Sequence, residues 1–259
     1  MDILSVLLNQ TNIFLLIFAR ISGIFTAAPF FSSNNIPRYA KAGMSLLLSY
    51  ILLPLISTGK ITLPDTFWTY IALVVGEFIL GLLFGFVSYL IFYAVQMAGH
   101  LIDLQIGFGI VNIFDPQFGQ QIPLLGNFLY ILGMLVFLIT NGHHILLTAL
   151  FASFKVIPLT GVVFHPSLAE FITNLVIDVF IIGFKISLPV LVTLLLTDVA
   201  LGILARTMPQ MNIFVVGVPG KIAIGIFILA VALPFYIAFL EVGFNGMYQN
   251  IYHLLAQFG

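Results

Sequence analysis

The run FILGLLFGFVSYLIFYAVQMAGHLI, residues 78–102, indicates the fold class because it contains no Asp, Glu, Lys or Arg over 25 residues. A helix that crosses the hydrocarbon core of a bilayer needs roughly 20 mostly apolar residues. Three other charge-free intervals repeat the pattern: residues 42–59 with 18, residues 116–154 with 39 and residues 222–240 with 19. The chain is therefore predicted to be an all-α integral membrane protein.

The hydrophobic pattern as a whole predicts about six long helical segments within a single domain, residues 1–259. The segments lie near residues 11–31, 42–58, 67–98, 124–153, 171–197 and 213–240. Some are longer than one crossing requires, so we expect them to tilt, bend or extend beyond the hydrocarbon. Pro54, Pro189 and Pro234 each remove a backbone donor from an apolar run, and we expect kinks there.

The composition excludes several classes of function. Apolar residues make up 61% of the chain and charged residues 7%, where a soluble domain carries about 25% charged residues. The formal net charge of -1 leaves no basic surface that could hold nucleic acid. The absence of cysteine excludes disulfide frameworks, Cys-ligated metal sites and thiol nucleophiles.

The sequence carries no motif typical of an enzyme or a metal site. His143 and His144 are adjacent, and neighbouring residues on a helix point in different directions, so we interpret them as hydrogen-bonded interfacial histidines rather than ligands. The stretch GVPGK at residues 217–221 is similar to part of a phosphate loop, but Ile222 stands where Ser or Thr must ligate magnesium. We predict no catalytic residue, no metal site and no cofactor.

Ionisable residues inside apolar segments are costly and need an explanation. The chain has five of them: Arg20, Glu77, Asp178, Lys185 and Asp198. Asp178 and Lys185 lie on one helix face but about 10.5 Å apart along the axis, too far for direct pairing. One interpretation is an ion pathway in a transporter. The favoured one is pairing at faces buried by protein, and the Gly81 and Gly85 pair next to Glu77 permits such close helix packing.

A second pair of cations marks a predicted break in the chain. Arg206 and Lys221 bracket a segment containing Pro209 and Pro219, and these prolines are expected to prevent a continuous helix. We expect this break to form an interface between neighbouring subunits. The residues predicted to act in buried charge pairing or assembly are Glu77, Asp178, Lys185, Arg206 and Lys221. Glu77 and Lys185 in particular are expected to be shielded by protein.

The stretch HLIDLQIGFGIVNIFDPQFGQQ, residues 100–121, combines glycine, phenylalanine and amide side chains. Glycine permits a bendable backbone, phenylalanine fills space, and Gln or Asn can satisfy backbone groups in a wet cavity. Two interpretations are open: a loop that plugs a pore, or an interfacial re-entrant connection between two hairpin helices.

Short motifs follow one another along the chain: QMAG at 96–99, GFG at 107–109, DP at 115–116, FLITNGHH at 137–144 and ARTMPQMNIF at 205–214. In this order and spacing, essentially the whole chain resembles the FliR family, the flagellar branch of the type III secretion export-gate proteins. The resemblance implies a fold of helical hairpins. It also implies that one copy of the chain assembles with several copies of FliP and FliQ into a pore for unfolded flagellar proteins. The expected location is the bacterial inner membrane, at the flagellar basal body.

The resemblance also implies which residues close the pore. They belong to the loop after the third hydrophobic segment: Gly107, Phe108, Gly109, Asp115, Pro116, Phe118, Gly119 and Gln120. Two alternatives remain beside this export gate. One is an ion- or solute-coupled secondary transporter that uses Asp178, Lys185 and Asp198. The other is a purely structural membrane scaffold.

Overall fold

The computed structural model describes residues 3–33, 35–56, 64, 66–108, 123–210 and 212–258. These residues form seven α-helices: α1 (Ile3–Ala27), α2 (Arg38–Ile56), α3 (Phe67–Ile106), α4 (Leu124–Ile139), α5 (Gly142–Val156), α6 (Ser167–Thr207) and α7 (Ile213–Ala256). The predicted all-α fold class is confirmed.

Five of these helices are long and apolar enough to cross a membrane: α1, α2, α3, α6 and α7. Helices α4 and α5 form a bent pair that adds a sixth span if the two are counted as one. Asn141 separates them with a left-handed backbone, φ 57°, which cannot continue a right-handed helix. The prediction of about six segments is therefore confirmed, and the segment predicted over residues 124–153 is a broken one.

Three of the helices are much longer than a bilayer requires. Helices α3, α6 and α7 have 40, 41 and 44 residues, or about 60–66 Å at 1.5 Å per residue. The hydrocarbon core is about 30 Å thick. The three prolines at which we expect kinks lie inside helices, Pro54 in α2, Pro189 in α6 and Pro234 in α7. Each leaves the carbonyl four residues earlier without its helical donor.

Helix α3 ends later than predicted. The sequence pattern placed its end near residue 98, whereas the helix continues to Ile106. His100, Asp103 and Gln105 are typical of a loop after an apolar run, but two of them satisfy their polar groups on neighbouring helices. Asp103 bonds to α4 and Gln105 to α6, so this polar turn is stable as helix.

The predicted break between residues 206 and 221 is correct at its start and wrong at its end. Helix α6 ends at Thr207 and Pro209 lies in the connection, as expected. Helix α7 begins at Ile213, however, so Pro219 and Lys221 are helical. The fixed φ of proline, near −65°, is compatible with a helix, and Pro219 removes only one hydrogen bond from a long apolar segment.

The described chain falls into two compact units. The first comprises Met1–Leu90, Asn141–Leu175 and Asn245–Gly259, and the second Ile91–Thr140 and Val176–Phe244. In the first unit, α1 and the first half of α3 approach so closely that a Cβ at Gly81 would overlap the backbone carbonyl of Arg20. The Gly81 and Gly85 pair thus lies at a tight helix contact, as predicted.

The second unit has an aromatic core. The rings of Phe92, Phe137 and Phe244 form a triangle with centroid separations of 5.5–5.7 Å. Tyr236 from α7 donates a hydrogen bond of 2.8 Å to the backbone carbonyl of Leu129 in α4. These contacts hold the second half of α3 against α4 and α7 within this unit.

Candidate functional site

The described part of the candidate plug begins at the end of α3. Gly107 has φ 96°, a left-handed conformation that favours glycine, and its N–H donates to the Asp103 carbonyl at 3.2 Å. Phe108 follows and is half-buried. The other residues predicted for the plug lie outside the described part of the chain: Gly109, Asp115, Pro116, Phe118, Gly119 and Gln120.

Asp103 links the end of α3 to the start of α4 by hydrogen bonds. Its two carboxylate oxygens each accept a hydrogen bond from the N–H of Leu125 at 3.1 Å, and Oδ2 accepts another from Gly126 at 3.2 Å. The first N–H groups of a helix have no partner within it and carry partial positive charge, so a carboxylate there is stabilising. Asp103 is 4% exposed and caps α4 from a different helix.

The role of Asp103 was missed in the sequence. Asp103 stands in the sequence only as one residue of the stretch 100–121, because the 22 residues that separate it from Leu125 hide the contact. One sequence feature indicates that α4 needs a capping residue from elsewhere in the chain. Helix α4 is preceded by Pro123, which makes no side-chain cap hydrogen bond, so its N-terminus needs an acceptor from elsewhere.

Two glycines bring the backbones of α3 and α4 together beside Asp103. A Cβ at Gly99 would overlap the backbone of Gly126, and a Cβ at Gly126 would lie 3.3 Å from the Gln96 carbonyl oxygen. Larger side chains at Gly99 would force the helices apart. The start and the end of the connection between α3 and α4 are therefore held at one place.

A second polar cluster joins α3 to α6 and α7. Lys221 forms an ion pair with Asp198, 2.7 Å between Nζ and Oδ1, and Gln105 donates to Oδ2 of the same carboxylate at 2.9 Å. The side chains of Lys221 and Asp198 are 18% and 41% exposed. Gln105 lies two residues before Gly107, so this cluster also fixes the last turn of α3.

A third cluster lies in the first unit and is fully buried. Arg20 Nε donates to Glu77 Oε2 at 2.6 Å, and Nη1 donates to the carbonyl oxygens of Ser153 at 3.1 Å and Ile157 at 3.0 Å. The guanidinium also lies over the Phe154 ring, 4.4 Å from its centroid. Glu77 is shielded within the chain, and its partner Arg20 joins α1 to α3 and α5.

The remaining predicted charges are placed differently. Asp178, Lys185 and Arg206 are exposed, and none forms an ion pair with the residues that the structure describes. The chain itself does not shield Lys185, so its shielding stays a prediction about other molecules. The hydrogen bonding predicted for the histidines is incomplete, because His143 Nδ1 is buried without a partner in the described chain.

Comparison with known proteins identifies relatives over nearly the whole chain. A family model described as bacterial export proteins, family 1, matches residues 11–247. Flagellar biosynthetic protein FliR of Bacillus subtilis is 38% identical over 249 residues, which is 95% of each chain. The protein of the same name from Pectobacterium carotovorum is 31% identical over 97% of this chain and 95% of its own length. The one from Escherichia coli is 28% identical over 96% of this chain and 93% of its own length.

Proposed function

We propose, from the premise that this chain belongs to the FliR family of bacterial export proteins, that it forms a gated pore together with FliP and FliQ subunits. As a member of that family it is a component of the flagellar type III export apparatus and not an enzyme. The family assignment also disfavours the transporter alternative. The assembled pore lies in the bacterial inner membrane at the flagellar basal body, and a loop of this chain closes it.

The contact between Asp103 and α4 carries the proposal about closure. It holds the end of α3 and the start of α4 at one place, which fixes both ends of the connection between them. The residues proposed to close the pore are Gly107, Phe108, Gly109, Asp115, Pro116, Phe118, Gly119 and Gln120. Phenylalanine excludes water from a narrow constriction, and glycine lets the backbone move aside when an unfolded chain passes. The chain itself supplies this barrier, and other components supply the energy for transport.

The exposed apolar surface supports the proposal about partners. Large apolar side chains remain exposed on every spanning helix, with Tyr50 of α2 73% exposed and Phe235 of α7 77% exposed. The protein buries only part of its apolar surface within itself, leaving the rest to lipid or to other subunits. One domain of 259 residues is proposed to act as the unit of assembly.

Copurification tests the assembly directly. An affinity-tagged chain, expressed with FliP and FliQ from the same organism and extracted in mild detergent, is expected to yield one stable complex that contains all three proteins. The tagged chain expressed without FliP and FliQ serves as the control. Recovery of the tagged chain alone from the coexpressing cells would contradict the proposed function.

A further inference from the structure

Two ion pairs form within the described chain, Arg20 with Glu77 and Lys221 with Asp198 of α6. Two other charged residues of α6 are placed differently. Asp178 and Lys185 are exposed in the middle of α6 and have no ionic partner in the part of the chain that the structure describes. Unpaired charges within an apolar span are costly and mark contacts with other groups.

The two charges share one stripe of the helix. Seven residues are just under two turns, so Asp178 and Lys185 lie on the same face, about 10.5 Å apart along the axis. Ile181 lies between them, and Leu188 extends the stripe by another turn; both are exposed. The stripe therefore presents a carboxylate, an apolar surface and an ammonium group in that order.

A cavity of about 270 Å³ opens next to Lys185. All its lining residues other than Lys185 are apolar or aromatic, and among them are Pro189, Phe235 and Tyr236. It is larger than the roughly 150 Å³ cavity that accommodates benzene in a protein interior. One bulky apolar side chain fits into this space.

We infer that this stripe, from Asp178 to Leu188, docks a membrane-spanning helix of a different polypeptide in the export apparatus. The partner helix carries Lys or Arg opposite Asp178, and Asp or Glu two turns away opposite Lys185. A bulky apolar side chain of the same helix enters the cavity. This inference rests on the proposed assembly with other subunits and adds the chemistry by which one of them is recognised.

Charge complementarity favours a helix of another polypeptide over a lipid headgroup or a second copy of this chain. An anionic lipid headgroup would pair with Lys185 but leave Asp178 without a partner. A second copy of this chain in the same membrane orientation would place α6 parallel to α6, so that Asp178 faced Asp178 and Lys185 faced Lys185. A helix with the opposite order of charges satisfies both groups at once.

Photocrosslinking identifies the occupant. Benzoylphenylalanine replaces Ile181 in the full chain, which is expressed with the other subunits of the apparatus and irradiated in cells. The expected product is an adduct with one other polypeptide, absent when the chain is expressed alone. A lipid adduct, an adduct with a second copy of the chain, or no adduct would each overturn the inference.

Charge reversal tests the recognition itself. Asp178→Lys and Lys185→Glu are each expected to lower the yield of the purified complex by roughly tenfold or more, since like charges in contact disfavour association strongly. Reversal of the opposing residue in the crosslinked partner restores the yield. The matched control is Glu170→Lys, a reversal of an exposed carboxylate at the start of α6, which leaves the yield unchanged.

The outcomes separate this inference from the proposed function. If the unaltered chain forms no complex with the other subunits, the proposed assembly fails. If the complex forms and both reversals leave its yield unchanged, the assembly stands and the role of the α6 stripe is wrong.

Discussion

The carboxylate of Asp103 accepts hydrogen bonds of 3.1 Å from the backbone N–H of Leu125, so a residue of α3 caps the N-terminus of α4. The contact is buried and is supported by the close backbone approach of Gly99 and Gly126. Because both ends of the connection meet here, this pair of residues sets the base from which the proposed plug extends.

Replacement of Asp103 by Ala is expected to raise the resting ion leak of the assembled apparatus. The change removes acceptors from a buried helix N-terminus, and each hydrogen bond to a charged group contributes about 1.5–3 kcal/mol. Asp103→Asn, which keeps one acceptor oxygen, is expected to leak less than Asp103→Ala. The measurement is membrane conductance in cells with equal amounts of complex.

The control for Asp103 is its neighbour Leu104, which is 58% exposed. Leu104→Ala should leave the conductance unchanged. If Asp103→Ala assembles normally and does not leak, its contact with α4 is a packing feature and does not position the plug.

Loss of either partner in the Arg20 and Glu77 pair is expected to destabilise the protein by about 3–5 kcal/mol, because the other charge remains buried and unpaired. Arg20→Leu, Glu77→Leu and the double variant are compared by denaturant unfolding in detergent. The double variant should cost clearly less than the sum of the two single changes. Additive losses would show that the two charges do not interact.

The Asp198 and Lys221 pair provides a contrast. It is partly exposed, so its contribution to the free energy of unfolding is expected to be about 0–1 kcal/mol. Lys221→Met, measured under the same unfolding conditions, should cost far less than Arg20→Leu. A loss as large as that of the buried pair would mean that this cluster has a structural role that its exposure does not suggest.

Gly81→Ala is expected to destabilise the contact between α1 and α3, because a Cβ there overlaps the backbone carbonyl of Arg20. Overpacking of this kind costs about 1–3 kcal/mol. Gly76 lies on the same helix with nothing within 4 Å of an added Cβ, so Gly76→Ala should instead stabilise by about 0.5–1 kcal/mol. Thermal unfolding of the two variants distinguishes them, and equal effects would rule out the proposed steric cause.

Charge spacing and apolar length predicted the class and the number of spanning segments, because a bilayer constrains both strongly. Local signals failed where tertiary contacts override them. The polar turn around Asp103 has the composition of a loop, and it is stable as helix because backbone N–H groups of α4 donate hydrogen bonds to the Asp103 carboxylate. Pro219 suggests a break, yet the apolar residues around it continue as helix.

The site was less predictable than the fold. Sequence reasoning selected Glu77 as a buried charge but could not name Arg20 as its partner, since 57 residues separate them. Lys221 and Asp198 were likewise both selected, but their pairing was not predicted. Chemical type identifies which residues need a partner, and only the packing of helices determines which partner is within reach.

The resting conductance of a deletion variant tests the proposed gate most directly. Residues 107–119 are removed with α3 and α4 intact, and ion leak is measured in cells in which the membrane-inserted complex is present at normal levels. The account predicts a raised leak, without loss of export, because the barrier is removed while the pore remains. An unchanged leak would contradict the plug assignment and leave this segment as a packing element between subunits.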